Sequence, residues 1–74
     1  MTYEEELEPY YRRCEFHYKR CKKIISEESF ICNFLFGDYF YRLIASLNPD
    51  MPVIVIYKFL EKERADYVAA LNEM

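Results

Sequence analysis

The sequence predicts an all-α fold, a small three-helix bundle, on three observations. Gly37 is the only glycine in the 74 residues, whereas hairpin turns commonly use glycine for positive φ. Apolar residues recur at spacings of three and four near both ends of the chain, as they do on one helical face. Residues able to cap a helix precede three segments of similar length, which suits an antiparallel bundle. We therefore expect residues 1–74 to form a single small helical domain.

The first helix is expected to begin near Pro9. Thr2 and Glu5 match a capping box, but a helix begun there would hold Pro9 in its interior, where proline removes a backbone donor. We expect a short first turn or a kink, and then the main helix from Pro9, since proline is tolerated at the first helical position. Its packed seam is expected to consist of Tyr10, Cys14, His17 or Tyr18, Cys21, and Ile24 or Ile25.

The second helix is expected to run from Ser26 to about Leu47. Ser26 can cap its N-terminus, and the two glutamates that follow suit the positive end of the helix dipole. Asn48 precedes a proline, and a residue in that position is pushed out of the helical conformation. The helix is therefore expected to end before Asn48, and Gly37 can bend or divide it.

The third helix is expected to follow Asp50, which can act as its N-cap. Pro52 would then lie in the first turn, where its missing amide is harmless. A stripe at helical spacing is expected to face the core as far as Met74. Its members are Val53, Ile56 or Tyr57, Leu60, Tyr67 or Val68, and Leu71.

An α+β fold is the alternative: a helix, a three-stranded antiparallel sheet and a helix. The segment FICNFLFGDYFYRL can form a hairpin with Gly37 first in a two-residue turn. The segment PVIVIYKF has the β-branched and aromatic composition typical of a strand. Residues 30–41 and 53–59 are strands in this alternative and helical in the bundle.

Cysteine usage and the N-terminal sequence predict a cytoplasmic protein. The chain has 3 cysteines, an odd number, and the segment MTYEEELEP is acidic, unlike the basic and apolar start of a secretory signal. We expect reduced thiols. No window of 18 residues lacks charged or strongly polar side chains, so no membrane span is predicted.

Two cysteines and the single histidine lie close together and raise the possibility of a zinc site. Cys14, His17 and Cys21 would share one side of a helix, and Cys32 can complete a tetrahedral set. Structural zinc ligands usually include a closely spaced cysteine pair on a turn, which this chain lacks. Because the same positions continue the apolar seam, we interpret them as packing residues and predict no metal or other cofactor.

The charge is distributed unevenly. Residues 12–23 carry a net charge of +5 within a chain of −3, and aromatic residues interleave with the basic ones. Such a face can contact phosphates and bases, dock on an acidic protein surface, or simply be solvated. The residues expected to form it are Arg12, Arg13, Lys19, Arg20 and Lys23.

The apolar middle of the chain is the strongest functional feature. Apolar residues make up 53% of the chain and aromatic residues 19%, which is more than a core of this size readily encloses. Aromatic anchors are favoured at protein interfaces. The residues predicted to bind a partner or a second copy of the chain are Phe34, Phe36, Tyr39, Phe40 and Tyr41.

These features predict a non-enzymatic protein that binds other proteins, as a small accessory subunit, adaptor or inhibitor. No glycine-rich phosphate loop or nucleophile motif is found, and the single histidine has no assignable acid or nucleophile beside it. The alternative is a small nucleic-acid-associated regulator that uses the basic helix at residues 12–23.

Overall fold

The computed structural model describes residues 2–74 and confirms the all-α prediction. No strand forms within that range, so the α+β alternative is wrong. The predicted second helix is divided near Gly37, and its first part includes a π-helical segment, which we call π1. The elements in chain order are α1 (Tyr3–Ile24), α2 (Glu27–Ser29), which continues directly into π1 (Phe30–Leu35), α3 (Tyr39–Leu47) and α4 (Val53–Asn72).

The first helix begins earlier than expected. It starts at Tyr3, and the Thr2 hydroxyl accepts a hydrogen bond from the Glu5 N–H at 3.2 Å. Pro9 lies inside the helix, where it removes one backbone bond. The N-cap and the acidic first turn, which complements the helix dipole, help to offset that loss. The expected start near Pro9 is therefore wrong.

The segment π1 is a widened turn that ends beside the only glycine. The Phe36 N–H donates to the Ile31 carbonyl, five residues earlier, at 3.0 Å, the spacing of a π-helix. A Cβ at Gly37 would lie 2.5 Å from the carbonyl oxygen of Asn33. No residue described has positive φ. The glycine is therefore needed for close approach of backbone to backbone, which lets the chain turn from π1 into α3.

The connection between α3 and α4 is partly as expected. Helix α3 ends at Leu47, as predicted, and the side-chain amide of Asn48 donates to the Ile44 carbonyl at 3.2 Å. Helix α4 begins at Val53, after Pro52 as N-cap. Asp50 does not cap α4, because its carboxylate instead accepts a hydrogen bond from the Arg13 guanidinium at 3.2 Å.

The core lies where α1, π1, α3 and α4 meet. The half-buried Tyr18 of α1 packs against this core. Its ring centroid lies 5.0 to 5.9 Å from those of three phenylalanines in edge-to-face contact: Phe30, Phe40 and Phe59. Burial raises the pKa of the Tyr18 hydroxyl. None of the helices formed by residues 2–74 has both the length and the apolar character needed to cross a membrane.

Candidate protein-binding surface

The five aromatic residues predicted to bind a partner do not all reach the surface. Phe40 has 0% of its area exposed and stacks on Phe59 in the core at 5.9 Å. Its assignment to a partner surface is therefore corrected: the inner face of α3 buries it completely.

Phe34 and Tyr39 form one of the exposed aromatic contacts. Their ring centroids lie 6.0 Å apart, and Phe34 also stacks on Phe30 at 6.1 Å. Phe34 is half-buried, whereas 57% of Tyr39 is exposed. Tyr39 therefore presents most of its ring to solvent from a position that Phe34 fixes.

Phe36 and Tyr41 instead lie against α4. The Phe36 ring, 46% exposed, contacts Tyr67 edge-on at 5.7 Å. The half-buried Tyr41 ring lies 4.9 Å from Tyr57. Apart from the buried Phe40, the predicted aromatic residues thus divide between two places, and α4 forms part of the second.

Helix α4 carries exposed apolar residues that the sequence did not single out as a site. Ile54, Tyr57, Val68 and Leu71 are between 43% and 55% exposed. Their spacing of three, eleven and three residues keeps them on one side of the helix. We call these four residues, together with the neighbouring Phe36 and Tyr41, the apolar flank.

The sequence did contain a signal for this flank. The predicted core stripe of α4 left two choices at two positions, Ile56 or Tyr57, and Tyr67 or Val68. In the structure Ile56 is fully buried and Tyr67 half-buried, whereas Tyr57 and Val68 are exposed. The buried choices, Ile56 and Tyr67, pack against the bundle, whereas the exposed choices form a second, parallel stripe. Val53 and Leu71, also expected to face the core, are 54% and 49% exposed, so that part of the prediction is wrong.

Arg64 joins the flank to π1. Its Nε donates to the Leu35 carbonyl at 2.5 Å, and its Nη2 lies 3.5 Å from the Gly37 carbonyl. The guanidinium also lies 5.9 Å from the centre of the Phe36 ring, within the range of a cation–π contact. One side chain of α4 therefore satisfies carbonyls at the end of π1 and holds Phe36 beside α4.

The predicted basic face is partly neutralised within the fold. Arg12 pairs with Glu8 at 3.3 Å, and Lys19 pairs with Glu15 at 2.9 Å. The hydrogen bond and charge of Lys19 lower the pKa of Glu15, and those of Glu15 raise the pKa of Lys19. These pairs are exposed to solvent, so each contributes little to stability.

The remaining basic residues divide between structure and surface. Arg13 reaches the α3–α4 connection, where it bonds to Asp50 and lies 3.5 Å from the Asn48 side-chain oxygen. Arg20 and Lys23 are exposed and make no ion pair within residues 2–74. They border Phe16, whose ring is 61% exposed. Two of the five predicted charges therefore remain free beside an exposed ring.

The possible zinc set is not assembled. Cys14 is fully buried and lies 3.7 Å from the Met51 sulfur, and burial raises the pKa of its thiol to about 11. Cys21 and His17 are half-buried, whereas Cys32 is exposed. Within the part of the chain that the structure describes, no three His, Cys, Asp or Glu side chains are grouped as metal ligands would be. The geometry agrees with the packing interpretation of Cys14.

Comparisons with protein-family models, curated proteins and solved structures found no match.

Proposed function

We propose that the chain is a non-enzymatic protein that acts by binding another protein, as a small accessory subunit, adaptor or inhibitor, through the apolar flank. The observation that supports it best is the row of half-exposed side chains on α4, bordered by Phe36 and Tyr41. Exposed apolar patches rimmed by polar residues commonly mark interaction sites. Here two apolar groups, Ile54 with Tyr57 and Val68 with Leu71, lie on either side of the polar residues Glu61 and Arg64.

The composition of the flank suits a protein partner. Tyrosine and phenylalanine are enriched at the centres of interfaces, where they fill pockets on the partner. Tyr57 is 55% exposed, and its contact with Tyr41 limits its freedom, which lowers the entropy lost on binding. Burying the exposed part of such a ring contributes roughly 1 to 2 kcal/mol.

Positive charge on α1 would assist encounter with an acidic partner. Arg20 and Lys23 form a small positive patch on α1 beside Phe16. Complementary charge mainly increases the association rate and orients the partner. We propose that this patch favours partners with an acidic rim.

A second candidate function, nucleic-acid association, depends on Phe16. Its exposed ring beside Arg20 and Lys23 resembles the combination of stacking and charge that single-stranded nucleic acids require. The ion pairs of Arg12, Arg13 and Lys19 leave few free charges, so binding of this kind would be weak and strongly dependent on salt.

Quantitative co-purification tests the proposal. The immobilised chain is compared with a Phe36→Gln/Tyr57→Gln variant and with an Ala70→Glu control, which changes an exposed position of α4 away from the flank. We expect proteins retained by the wild type and by the control but lost from the flank variant, with circular dichroism confirming that all three are folded. Equal retention by all three would contradict the proposal. Nucleic acid lost only from a Phe16→Ala variant would favour the second candidate.

A further inference from the structure

We propose that a second copy of this chain binds along α4, with the two α4 helices antiparallel and related by a two-fold axis. The residues concerned form a seam on the exposed side of α4, with successive spacings of three, four, three, four and three, the repeat by which two helices pack side by side. The seam consists of Ile54, Tyr57, Glu61, Arg64, Val68 and Leu71.

The seam matches the same seam on a second copy of the chain that runs in the opposite direction. A two-fold axis between the helices near residues 62 and 63 sets Ile54 opposite Leu71 of the second copy. The same register sets Tyr57 opposite Val68 of the second copy. A two-fold interface must use one patch twice in this way. Each apolar residue of the seam therefore meets an apolar residue.

The charges at the centre fix the direction. In the antiparallel register Glu61 lies opposite Arg64 of the second copy, and the reciprocal pair is also made. A parallel arrangement would instead set Glu61 against Glu61 and Arg64 against Arg64, which repel. Glu61 is exposed and makes no ion pair among the described residues. Arg64 bonds to π1 through Nε and Nη2, so its Nη1 can bind a carboxylate.

The available area indicates a dimer of modest affinity. The four exposed apolar side chains of the seam offer on the order of 300 Å² per copy. Phe36 and Tyr41 border the seam and add to this area, but the total stays below the roughly 800 Å² per partner of a standard interface. We therefore expect a dissociation constant of about 10–100 µM.

This inference deepens the proposed function, because it names one occupant of the apolar flank. The two can fail separately. An external partner captured by a chain that stays monomeric would leave the proposed function standing and overturn the second copy as occupant. A dimer without any captured protein would support the second copy as occupant and overturn the binding of an external partner.

Sedimentation velocity between 5 and about 300 µM protein, a range set to bracket the expected affinity, tests for the dimer. We expect a species of twice the 9.1 kDa chain mass that grows with concentration. Leu71→Glu is expected to weaken the dimer at least about tenfold, whereas Ala70→Glu, with the same charge change one residue away, is not. Glu61→Lys is expected to weaken it also, and Glu73→Lys serves as its control. A monomer throughout, or equal effects of Leu71→Glu and its control, would overturn the proposal.

Photo-crosslinking tests the direction. A benzophenone side chain replaces Tyr57, and chains labelled with heavy nitrogen are mixed with unlabelled ones, so that links between copies are recognised by mass. We expect the link from position 57 to fall near Val68 of the other copy. A link to the segment around position 57 of the other copy would show a parallel pair, and a link outside α4 would show a different interface. Either result would overturn the antiparallel seam.

Discussion

Replacing Arg64 with methionine should destabilise the whole bundle. Methionine keeps most of the aliphatic length of the side chain but cannot donate to the Leu35 carbonyl or lie over the Phe36 ring as a cation. The end of π1 would lose its hydrogen-bond donor from α4. The contact between the two elements would then depend on apolar packing alone.

The expected loss is about 2 kcal/mol, since a hydrogen bond that involves a charged group typically contributes about 1.5 to 3 kcal/mol and this one is only partly exposed to solvent. A domain of this length has a total stability of roughly 4 to 11 kcal/mol. The loss is therefore a large fraction of the total, and the melting temperature should fall by about 10 °C.

Urea unfolding followed by circular dichroism measures this difference. Arg42→Met is the matched control, because Arg42 is exposed and its Nη2 lies 4.0 Å from the Asp38 carboxylate, a pair that contributes little. We expect the control to change the free energy of unfolding by less than about 0.5 kcal/mol. If Arg64→Met remains within the same range as the control, the assigned role of Arg64 is refuted.

Three further predictions concern the glycine and the cysteines. Gly37→Ala should lower the free energy of unfolding by about 1 to 3 kcal/mol, because the added Cβ would lie 2.5 Å from the Asn33 carbonyl oxygen; urea unfolding indistinguishable from wild type would contradict this. At neutral pH iodoacetamide should label Cys32 rapidly and Cys14 only on unfolding, since Cys14 is fully buried; peptide mapping showing comparable rates would refute the assigned core. The pKa of Cys14 is raised from 9.0 to about 11, so the folded state holds this proton more tightly and stability should decline as pH rises between those values. A Cys14→Ala variant should show a smaller decline, as measured by urea unfolding at pH 8 and pH 10.5, and an equal decline would contradict that assignment.

The sequence predicted the fold class because glycine scarcity and helical spacing are local signals. The predicted start of α1 is wrong because a proline in a helix interior removes a backbone donor and so usually marks a helix boundary or a kink. In the structure the helix begins at Tyr3 and continues through Pro9, so one missing backbone hydrogen bond does not end it. Gly37 is predicted to bend or divide the second helix, and the chain does break there. The π-helical segment before it is not predicted, and the carbonyl at its end accepts a hydrogen bond from Arg64, 29 residues from Leu35.

The candidate site was predictable only in part. An excess of aromatic residues indicates that some must be exposed, but composition does not say which. Phe40 and Tyr41 are adjacent in the sequence, yet one is fully buried and the other lies beside Tyr57. Which of the two side chains is buried depends on how α3 is rotated about its axis relative to α4. That rotation is set by packing across the whole bundle.

Hydrogen exchange measured at several protein concentrations tests the central claim most directly. That claim is that the apolar flank, and not the basic face of α1, is the interaction surface. We predict that raising the concentration from about 5 to 300 µM, on either side of the expected dissociation constant, slows exchange in α4 between Ile54 and Leu71 and around Phe36 and Tyr41. The outward residues of α1 should not change. Slowing confined to α1, or no slowing anywhere together with no protein captured by the flank, would contradict the account.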